Sequence, residues 1–377
     1  MPDFLTVPQG RFELVRLPIR QRELLQAYDA ADEYVLNDLA EQGLPSENVR
    51  MLIVNDAFGA LTVALSAYKP VVLSDSFLSL EATRMNLSTN GKPVDQIERL
   101  TSLDLPEGVF DWIVIKAPKT LALLEYQLIR LRPAIGPGTR IVTAGMVKHL
   151  SPSVARLLER IVGPTSLSLA RKKARLLFTE PDPSRPEVLN PYPIVYRLEG
   201  TNYMIVNHAN VFSRDSLDIG TRFFLKHIGH YPNARHIVDL GCGNGVVGLI
   251  AAEQNPQAVV HFVDESFMAV ASAQTNFEAA FGGGRQATFR PGDGLSGFAS
   301  ASVDVILCNP PFHQQNTVGD MIAANMFRQA RRALTREGVL WVIGNRHLGY
   351  HRLLKKGFGR VDTVDANSKF VILKAML

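Results

Sequence analysis

Four consecutive residues, Asn309-Pro310-Pro311-Phe312, place hydrogen-bond acceptors and an aromatic ring directly after a predicted buried strand over residues 303–308. Neither proline can donate to a sheet, so the strand ends there. The Asn309 side-chain oxygen and the Pro310 carbonyl form a pair of acceptors for one –NH₂ group, and Phe312 offers a ring for stacking a flat base. Ligands of open α/β sheets bind at the carboxyl ends of strands. We therefore predict these four residues to be catalytic, in chemistry on an exocyclic amine; a plain strand followed by a Pro-Pro turn is the alternative.

An acidic residue and three alternating glycines lie between a predicted strand and a predicted helix: Asp239, Gly241, Gly243 and Gly245. Glycines let the backbone approach a ligand closely, and the helix N-terminus beyond them is electropositive. Residues 243–248 also match the dinucleotide pattern G-x-G-x-x-G, so NAD is an alternative ligand. An acidic residue before the turn suits a ligand with a cationic amino acid better than a pyrophosphate. We therefore predict S-adenosyl-L-methionine as the cofactor.

Further cofactor contacts are predicted from position along the chain. Asp264 ends the second strand of this half and is expected to accept from the ribose hydroxyls, with Glu265 as the alternative. Asp293, in a Gly-Asp-Gly turn after the third strand, is expected to meet the adenine edge or to be a simple turn residue. His313 and residues 314–315 are expected to line the target pocket.

Length, charge and cysteine content limit the number of domains, the kind of partner and the cellular compartment. The 377 residues are enough for two domains. Residues 1–190 hold 22 Lys/Arg and 22 Asp/Glu, so the whole +4 excess lies in the second half, which permits a nucleic-acid partner. Cys242 and Cys308 are expected to be small buried fillers, and two thiols alone make no zinc site. We expect no metal, no signal peptide or transmembrane helix, and a cytoplasmic protein.

Strands and helices alternate in both halves of the chain, which predicts an α/β fold with mostly parallel, doubly wound sheets. In the first half, strands are predicted over 51–54, 70–73, 111–115 and 140–143, and helices over 60–68, 79–87, 121–131 and 151–161. In the second half, strands are predicted over 236–240, 259–263, 287–290, 303–308 and 339–343, with an antiparallel closing hairpin at 360–374, and helices over 246–254, 266–280 and 321–334.

The two halves also share similar amino-acid sequences, which indicates a tandem repeat with one degenerate copy. Residues 74–86 can be laid over 264–276, and 110–115 over 303–308. The first copy has Lys116-Ala-Pro-Lys119 in place of the catalytic loop and Ser74 in place of Asp264. Chance similarity between two α/β domains is the alternative.

A proline-rich linker at 180–186 separates the two predicted domains, 1–188 and 189–377. The first domain is expected to bind no cofactor. We expect it to bind RNA instead, with Lys116 and Lys119 contacting phosphate.

Three stretches together resemble a known family: the Asp239–Gly245 turn, the Asn309–Phe312 loop and Phe212-Ser-Arg-Asp-x-Leu-Asp218-Ile-Gly. They are similar to the bacterial ribosomal RNA guanine-N2 methyltransferases, which join a degenerate and an active class I methyltransferase domain, both Rossmann-like. The resemblance implies a guanine in ribosomal RNA as substrate, N2-methylguanine as product, a monomer, and Phe212 and Thr221 as further cofactor contacts. Residues 30–34, 207–212 and the chain length resemble the large-subunit (23S) branch most.

Three other functions stay open from the sequence. The first is the same reaction on 16S ribosomal RNA. The second is N5-methylation of a protein glutamine, which uses a similar Asn-Pro-Pro-aromatic loop on an amide nitrogen. The third is a non-enzymatic RNA-binding assembly factor with a vestigial cofactor site.

Overall fold

The computed structural model describes residues 3–19, 25–43, 49–311 and 317–377. The chain forms two compact units, Met1–Pro191 and Tyr192–Leu377. Each unit is described by itself below.

The first unit alternates strands and helices after an opening hairpin. Its strands are β1 Asp3–Val7, β2 Gly10–Leu14, β3 Met51–Val54, β4 Val71–Ser74, β5 Arg99–Thr101, β6 Phe110–Lys116, β7 Ile135–Met146, β8 Thr165–Leu167 and β9 Ala174–Thr179. Its helices are α1 Ala30–Gln42, α2 Ala60–Ala64, α3 Phe77–Thr89, α4 Leu121–Leu131 and α5 Pro152–Ile161.

The second unit follows the same plan. Its strands are β10 Ile194–Arg197, β11 Met204–Asn207, β12 His236–Leu240, β13 Val259–Asp264, β14 Ala287–Pro291, β15 Val303–Cys308, β16 Leu334–Asn345, β17 Arg360–Ala366 and β18 Phe370–Met376. Its helices are α6 Ile219–Leu225, α7 Val246–Gln254, α8 Phe267–Phe281, α9 Thr317–Ala333 and α10 Tyr350–Lys355.

Strand order is identical in the two units. In the described residues the sheets run β5-β4-β3-β6-β7-β9-β8 and β14-β13-β12-β15-β16-β18-β17. The first five strands of each sheet are parallel, and β9 and β18 are antiparallel to their neighbours β7 and β16. This confirms the predicted α/β architecture, two doubly wound, mostly parallel, Rossmann-like sheets with an antiparallel last strand.

The central strands form because their sequences are almost continuously apolar, as expected when both faces of a parallel sheet are covered by helices. In β15, Val303 and residues 305–308 are buried, and only Asp304 is partly exposed. Cys308 and Cys242 lie in the same core and are buried, as predicted for small fillers. Burial raises the pKa of both thiols, so both stay protonated at neutral pH.

One asparagine in each unit, in α3 and in α8, links the segment of the opening hairpin to the turn after β3 or β12 by the same kind of contacts. Asn276 accepts from the Val206 N–H at 2.7 Å and donates to the Val206 and Asn244 carbonyls at 3.0 and 2.9 Å. Asn86 accepts from the Val15 N–H at 2.9 Å and donates to the Val15 and Phe58 carbonyls at 2.9 and 2.7 Å. These two asparagines end the stretches that were matched by sequence, so the repeat extends to individual hydrogen bonds.

Within the described ranges, no helix has the length and apolar character needed to cross a membrane.

Candidate active site of the second unit

Asn309 directly follows β15, and its amide is held on one side only. Its Nδ2 donates to Thr221 Oγ1 at 3.0 Å. Its Oδ1 is shielded from solvent and has no hydrogen-bond partner among the described residues. A buried acceptor left unpaired costs about 1–3 kcal/mol. The amide oxygen is therefore suited to a ligand that brings an N–H donor.

Thr221 lies in the first turn of α6, and Asp218 caps that helix. The Asp218 carboxylate accepts from the Thr221 backbone N–H at 2.8 Å and from its hydroxyl at 3.3 Å. An N-cap aspartate satisfies helix amides that have no partner within the helix. Helix α6 begins directly after Asp218, and the cap fixes Thr221 beside Asn309.

The rest of the catalytic loop is described only as far as residue 311. Pro310 is buried, and Pro311 is exposed. Phe312, His313 and residues 314–315 lie outside the described residues, so their predicted roles stay predictions.

The glycine turn contains two kinds of glycine. Gly241, Gly243 and Gly245 all have φ between +53° and +79°, a region that favours glycine. A Cβ on Gly245 would lie 2.9 Å from Ala273 Cα, so this glycine lets α7 approach α8. A Cβ on Gly243 would meet nothing within 4 Å. The turn therefore packs on one side and leaves space beside Gly243 that a cofactor can fill.

The Asp239 side chain lies inside the core, where one carboxylate oxygen accepts from the Gly248 N–H at 2.7 Å. Burial raises its pKa to about 8; the Gly248 bond opposes this and the Asp264 charge adds to it. Asp239 thus ties β12 to the first turn of α7. A nearby positive charge would favour its ionised form.

Asp264 ends β13, as predicted, and also shapes the glycine turn. Its Oδ2 accepts from the Gly243 N–H at 2.9 Å and its Oδ1 from the Ser266 N–H at 3.0 Å. Burial raises its pKa, although these N–H bonds favour the charged form. Glu265 is exposed. The bond from Gly243 was not predicted, because strand spacing does not show which amide a side chain reaches.

Asp293 and Phe212 are the outer members of the predicted cofactor set. Asp293 is half-buried; burial raises its pKa, against a hydrogen bond from Gln329. Gln329 also accepts from the Leu295 N–H at 2.8 Å, so α9 holds the Gly-Asp-Gly turn. Phe212 lies in a turn and is 49% exposed. Their contacts with a cofactor stay predictions.

Sequence reasoning missed a polar frame between the opening hairpin and the glycine turn. Asn244 Nδ2 donates to Asn207 Oδ1 at 2.9 Å and to the Tyr196 hydroxyl at 3.1 Å. Its own Oδ1 accepts from the Val246 N–H at 3.3 Å. The sequence signal that could have indicated this frame is an asparagine between two glycines.

In the ranges covered, no three His, Cys, Asp or Glu side chains are grouped so as to hold a metal ion.

Comparisons with known proteins match both units. The RLMG N-terminal domain family matches residues 2–183, and the methyltransferase small domain family matches residues 202–374. Over 376 residues and the full length of both chains, the protein is 53% identical to ribosomal RNA large subunit methyltransferase G of Pseudomonas aeruginosa. It is 52% identical to the enzyme of that name from Ectopseudomonas mendocina, again over both full chains. The chain belongs to this methyltransferase G family.

A solved structure has the same two-unit architecture. It is the T. thermophilus 16S rRNA N2 methyltransferase RsmC in complex with AdoMet and guanosine, with a TM-score of 0.77. The match covers 100% of this chain and 98% of that one at 20% identity, and so shows the fold alone.

In the family's N-terminal unit, Lys116 occupies the position that Asn309 has in the second unit. Ile115 pairs with Val54 in the first sheet as Cys308 pairs with Leu240 in the second, so the next residues correspond. Lys116 was expected to contact phosphate, and the structure shows otherwise. Its Nζ lies 2.6 Å from Asp32 Oδ1 and 2.8 Å from Asp29 Oδ1, and its side chain is 12% exposed.

The charges of this cluster favour an internal ion pair. Burial lowers the pKa of Lys116, but Asp32 and Asp29 outweigh burial and raise it overall. Burial raises the pKa of Asp32 to about 6 against the attraction of Lys116. Burial also raises the pKa of Asp29, but the Lys116 charge and the hydrogen bonds from the helix amides outweigh burial and lower this pKa overall. At neutral pH all three groups are charged, and Lys116 is not available to RNA.

Other side chains fill the rest of this degenerate site. Asn55 stands where the second unit has Gly241, in the same left-handed region at φ 63°. Its side chain donates to Gln127 Oε1 at 2.8 Å, and Gln127 donates to Ser102 Oγ at 2.9 Å. The first unit therefore has a hydrogen-bonded side chain at the position where the second unit has Gly241.

Proposed function

We propose that this protein transfers a methyl group from S-adenosyl-L-methionine to the N2 amine of a guanine in 23S ribosomal RNA. The observation that carries the proposal is the Asn309 amide, whose nitrogen is held by Thr221 while its buried oxygen has no described partner. The full-length relatives named ribosomal RNA large subunit methyltransferase G support the substrate class.

When bound, S-adenosyl-L-methionine supplies an electrophilic methyl group on a positively charged sulfur. The turn of Asp239, Gly241, Gly243 and Gly245 would accommodate it. Asp264 would accept from its ribose hydroxyls, and Asp293 and Phe212 would border its adenine. The open side of Gly243 and the carboxylate of Asp264 beside that amide support this arrangement.

Asn309 and Pro310 act on the nucleophile. The Asn309 side-chain oxygen and the Pro310 carbonyl accept hydrogen bonds from the two N2 hydrogens, which turns the nitrogen lone pair out of conjugation with the base. The lone pair would then form the N–C bond to the methyl group that S-adenosyl-L-methionine supplies, and the C–S electron pair would pass to sulfur. The amine finally loses one proton to solvent. Catalysis depends on positioning and electrostatics, and Phe312 stacks on the base.

The first unit holds the RNA, and the cations that suit this role are exposed lysines at the carboxyl edge of its sheet: Lys119, Lys148 and Lys173. Lys148 and Lys119 lie close enough to lower the pKa of His149, after burial. The Lys173 carbonyl accepts from the Val147 N–H at 2.8 Å, which places it beside Lys148. We call these three residues the lysine cluster.

The protein acts as a monomer in the cytoplasm and needs no metal.

The lysine cluster is tested by the salt dependence of RNA binding. Each phosphate contact contributes about 0.7–0.9 to the slope of log K against log salt. Replacing the three lysines with Gln is expected to reduce the slope by about 2. Lys355→Gln with Lys356→Gln, exposed at the C-terminal end of α10, is the matched control. A slope unchanged in the cluster variant and equal to the control's would contradict RNA binding by this edge.

The reaction itself is tested with purified protein, S-adenosyl-L-methionine and deproteinised or particle-bound 23S and 16S RNA. Nucleoside mass spectrometry should find N2-methylguanosine in 23S RNA. Methylation of 16S RNA alone, or of a glutamine in an added protein, would assign the activity to one of the alternatives.

A further inference from the structure

We infer that Thr221 is a positioning residue, which orients the Asn309 amide so that its oxygen faces the target amine. The inference rests on the proposed function, since it specifies how one acceptor of that reaction is set. It gives Thr221 a role other than the cofactor contact that the resemblance implies.

The argument begins with the hydroxyl of Thr221. A hydroxyl has one hydrogen to donate and lone pairs to accept with. The acidic partner in reach is the Asp218 carboxylate, 3.3 Å from Oγ1, and a carboxylate can only accept. The hydroxyl hydrogen therefore goes to Asp218, and its lone pairs face Asn309.

This fixes which end of the Asn309 amide lies against Thr221. The two ends of an asparagine amide have the same shape and are distinguished by their hydrogen-bond partners. A Thr221 oxygen that can only accept selects the amide NH₂, at 3.0 Å. The amide oxygen then lies on the other side, without a partner among the described residues, and is the acceptor that an exocyclic amine needs. With the amide reversed, two oxygens would oppose each other and the NH₂ would repel an amine donor.

The degenerate unit retains the same link in altered form. There α1 begins beside the strand end as α6 does, with Asp29 as its N-cap and Asp32 three residues later. Lys116, in the position of Asn309, binds Asp32 at 2.6 Å as Asn309 binds Thr221. Both units thus hold the residue at the carboxyl end of β6 or β15 by the third residue of the helix that precedes the sheet in the chain. The second unit uses a neutral group that can accept, and its amide oxygen has no partner among the residues that the structure describes.

The two roles of Thr221 predict different results. Thr221→Val keeps the shape and removes the hydroxyl, so Asn309 can flip, and kcat is expected to fall about 10- to 100-fold. Cofactor affinity by calorimetry is expected to stay within twofold of wild type. Thr221→Ser restores the hydroxyl and should recover most of kcat. Thr363→Val, exposed on β17, is the matched control.

A double variant separates positioning from general damage. If Thr221 acts through Asn309, Thr221→Val in an Asn309→Ala background should lower kcat no further. Full additivity of the two changes, wild-type kcat in Thr221→Val, or a tenfold loss of cofactor affinity would each overturn the inference. Should Thr221→Val fold poorly by circular dichroism, Thr221→Ala is measured against Thr221→Ser with the same criteria. Absence of N2-methylguanosine with the wild-type protein would instead refute the proposed function.

Discussion

Replacing Lys116 tests whether the degenerate site is closed by an internal ion pair. Lys116→Met keeps the length of the side chain and removes its charge. Asp32, whose side chain is 8% exposed, then loses its cation, whereas Asp29 is 47% exposed and can be solvated. Breaking a buried pair from one side costs about 3–5 kcal/mol. Because only one of the two carboxylates is buried, we expect about 3 kcal/mol of lost stability in the first unit.

The chain's two tryptophans allow this loss to be measured in one unit at a time. Trp112 lies in β6, and Trp341 lies in β16 of the other unit. In a Trp341→Phe background, urea unfolding followed by Trp112 fluorescence reports the first unit. Lys119→Met, an exposed neighbour, is the control and should change stability by less than about 0.5 kcal/mol.

The pH dependence of the Lys116→Met deficit follows from Asp32. Its folded pKa of about 6 lies above the ordinary 3.8, and loss of Lys116 raises it further. A carboxyl with a raised folded pKa stabilises the fold at low pH and loses that contribution as pH rises through the folded pKa. The deficit should therefore be larger at pH 8 than at pH 5, and Asp32→Asn should recover part of it. Unchanged stability together with a smaller salt slope of RNA binding would refute the ion pair and restore Lys116 as a phosphate contact.

Three further predictions concern the second unit. Asn309→Ala should leave cofactor binding nearly intact while methyl transfer falls by orders of magnitude, with exposed Asn202→Ala as control; wild-type turnover would exclude the amine-acceptor role. Asp264→Ala should weaken cofactor binding in calorimetry by about 1.5–3 kcal/mol, and unchanged affinity would assign the ribose to Glu265. Asp239 has a pKa of about 8 without cofactor, so binding of a cationic ligand should release a proton. Affinity should then rise from pH 6 to 8 in the wild type and stay flat in Asp239→Asn.

The sequence predicted the central elements of both sheets because buried parallel strands leave a simple pattern. The strands at 236–240 and 303–308 and the helix at 246–254 were predicted with the bounds that the structure has. The opening hairpin β1–β2, helix α1 and the short strand β5 were not predicted. They are short or carry mixed polar and apolar residues, so their periodicity is weak.

The position of Lys116 in the fold was predicted, and its role was wrong. Its partners Asp29 and Asp32 are 87 and 84 residues away along the chain. No local pattern shows that a lysine at a strand end will meet two carboxylates from a helix that begins far upstream. The Asn309–Thr221 bond spans 88 residues and was missed for the same reason. Local sequence indicates which groups reach an edge of the sheet, and tertiary packing decides which of them pair.

The most direct test of the central claim is nucleoside mass spectrometry of ribosomal RNA from a strain that lacks this protein. The two subunit RNAs are separated first, and the strain is complemented with either wild type or Asn309→Ala. We expect N2-methylguanosine to fall by one residue in 23S RNA, to be unchanged in 16S RNA, and to be restored only by the wild type. Unchanged 23S RNA, or a loss confined to 16S RNA, would contradict the account.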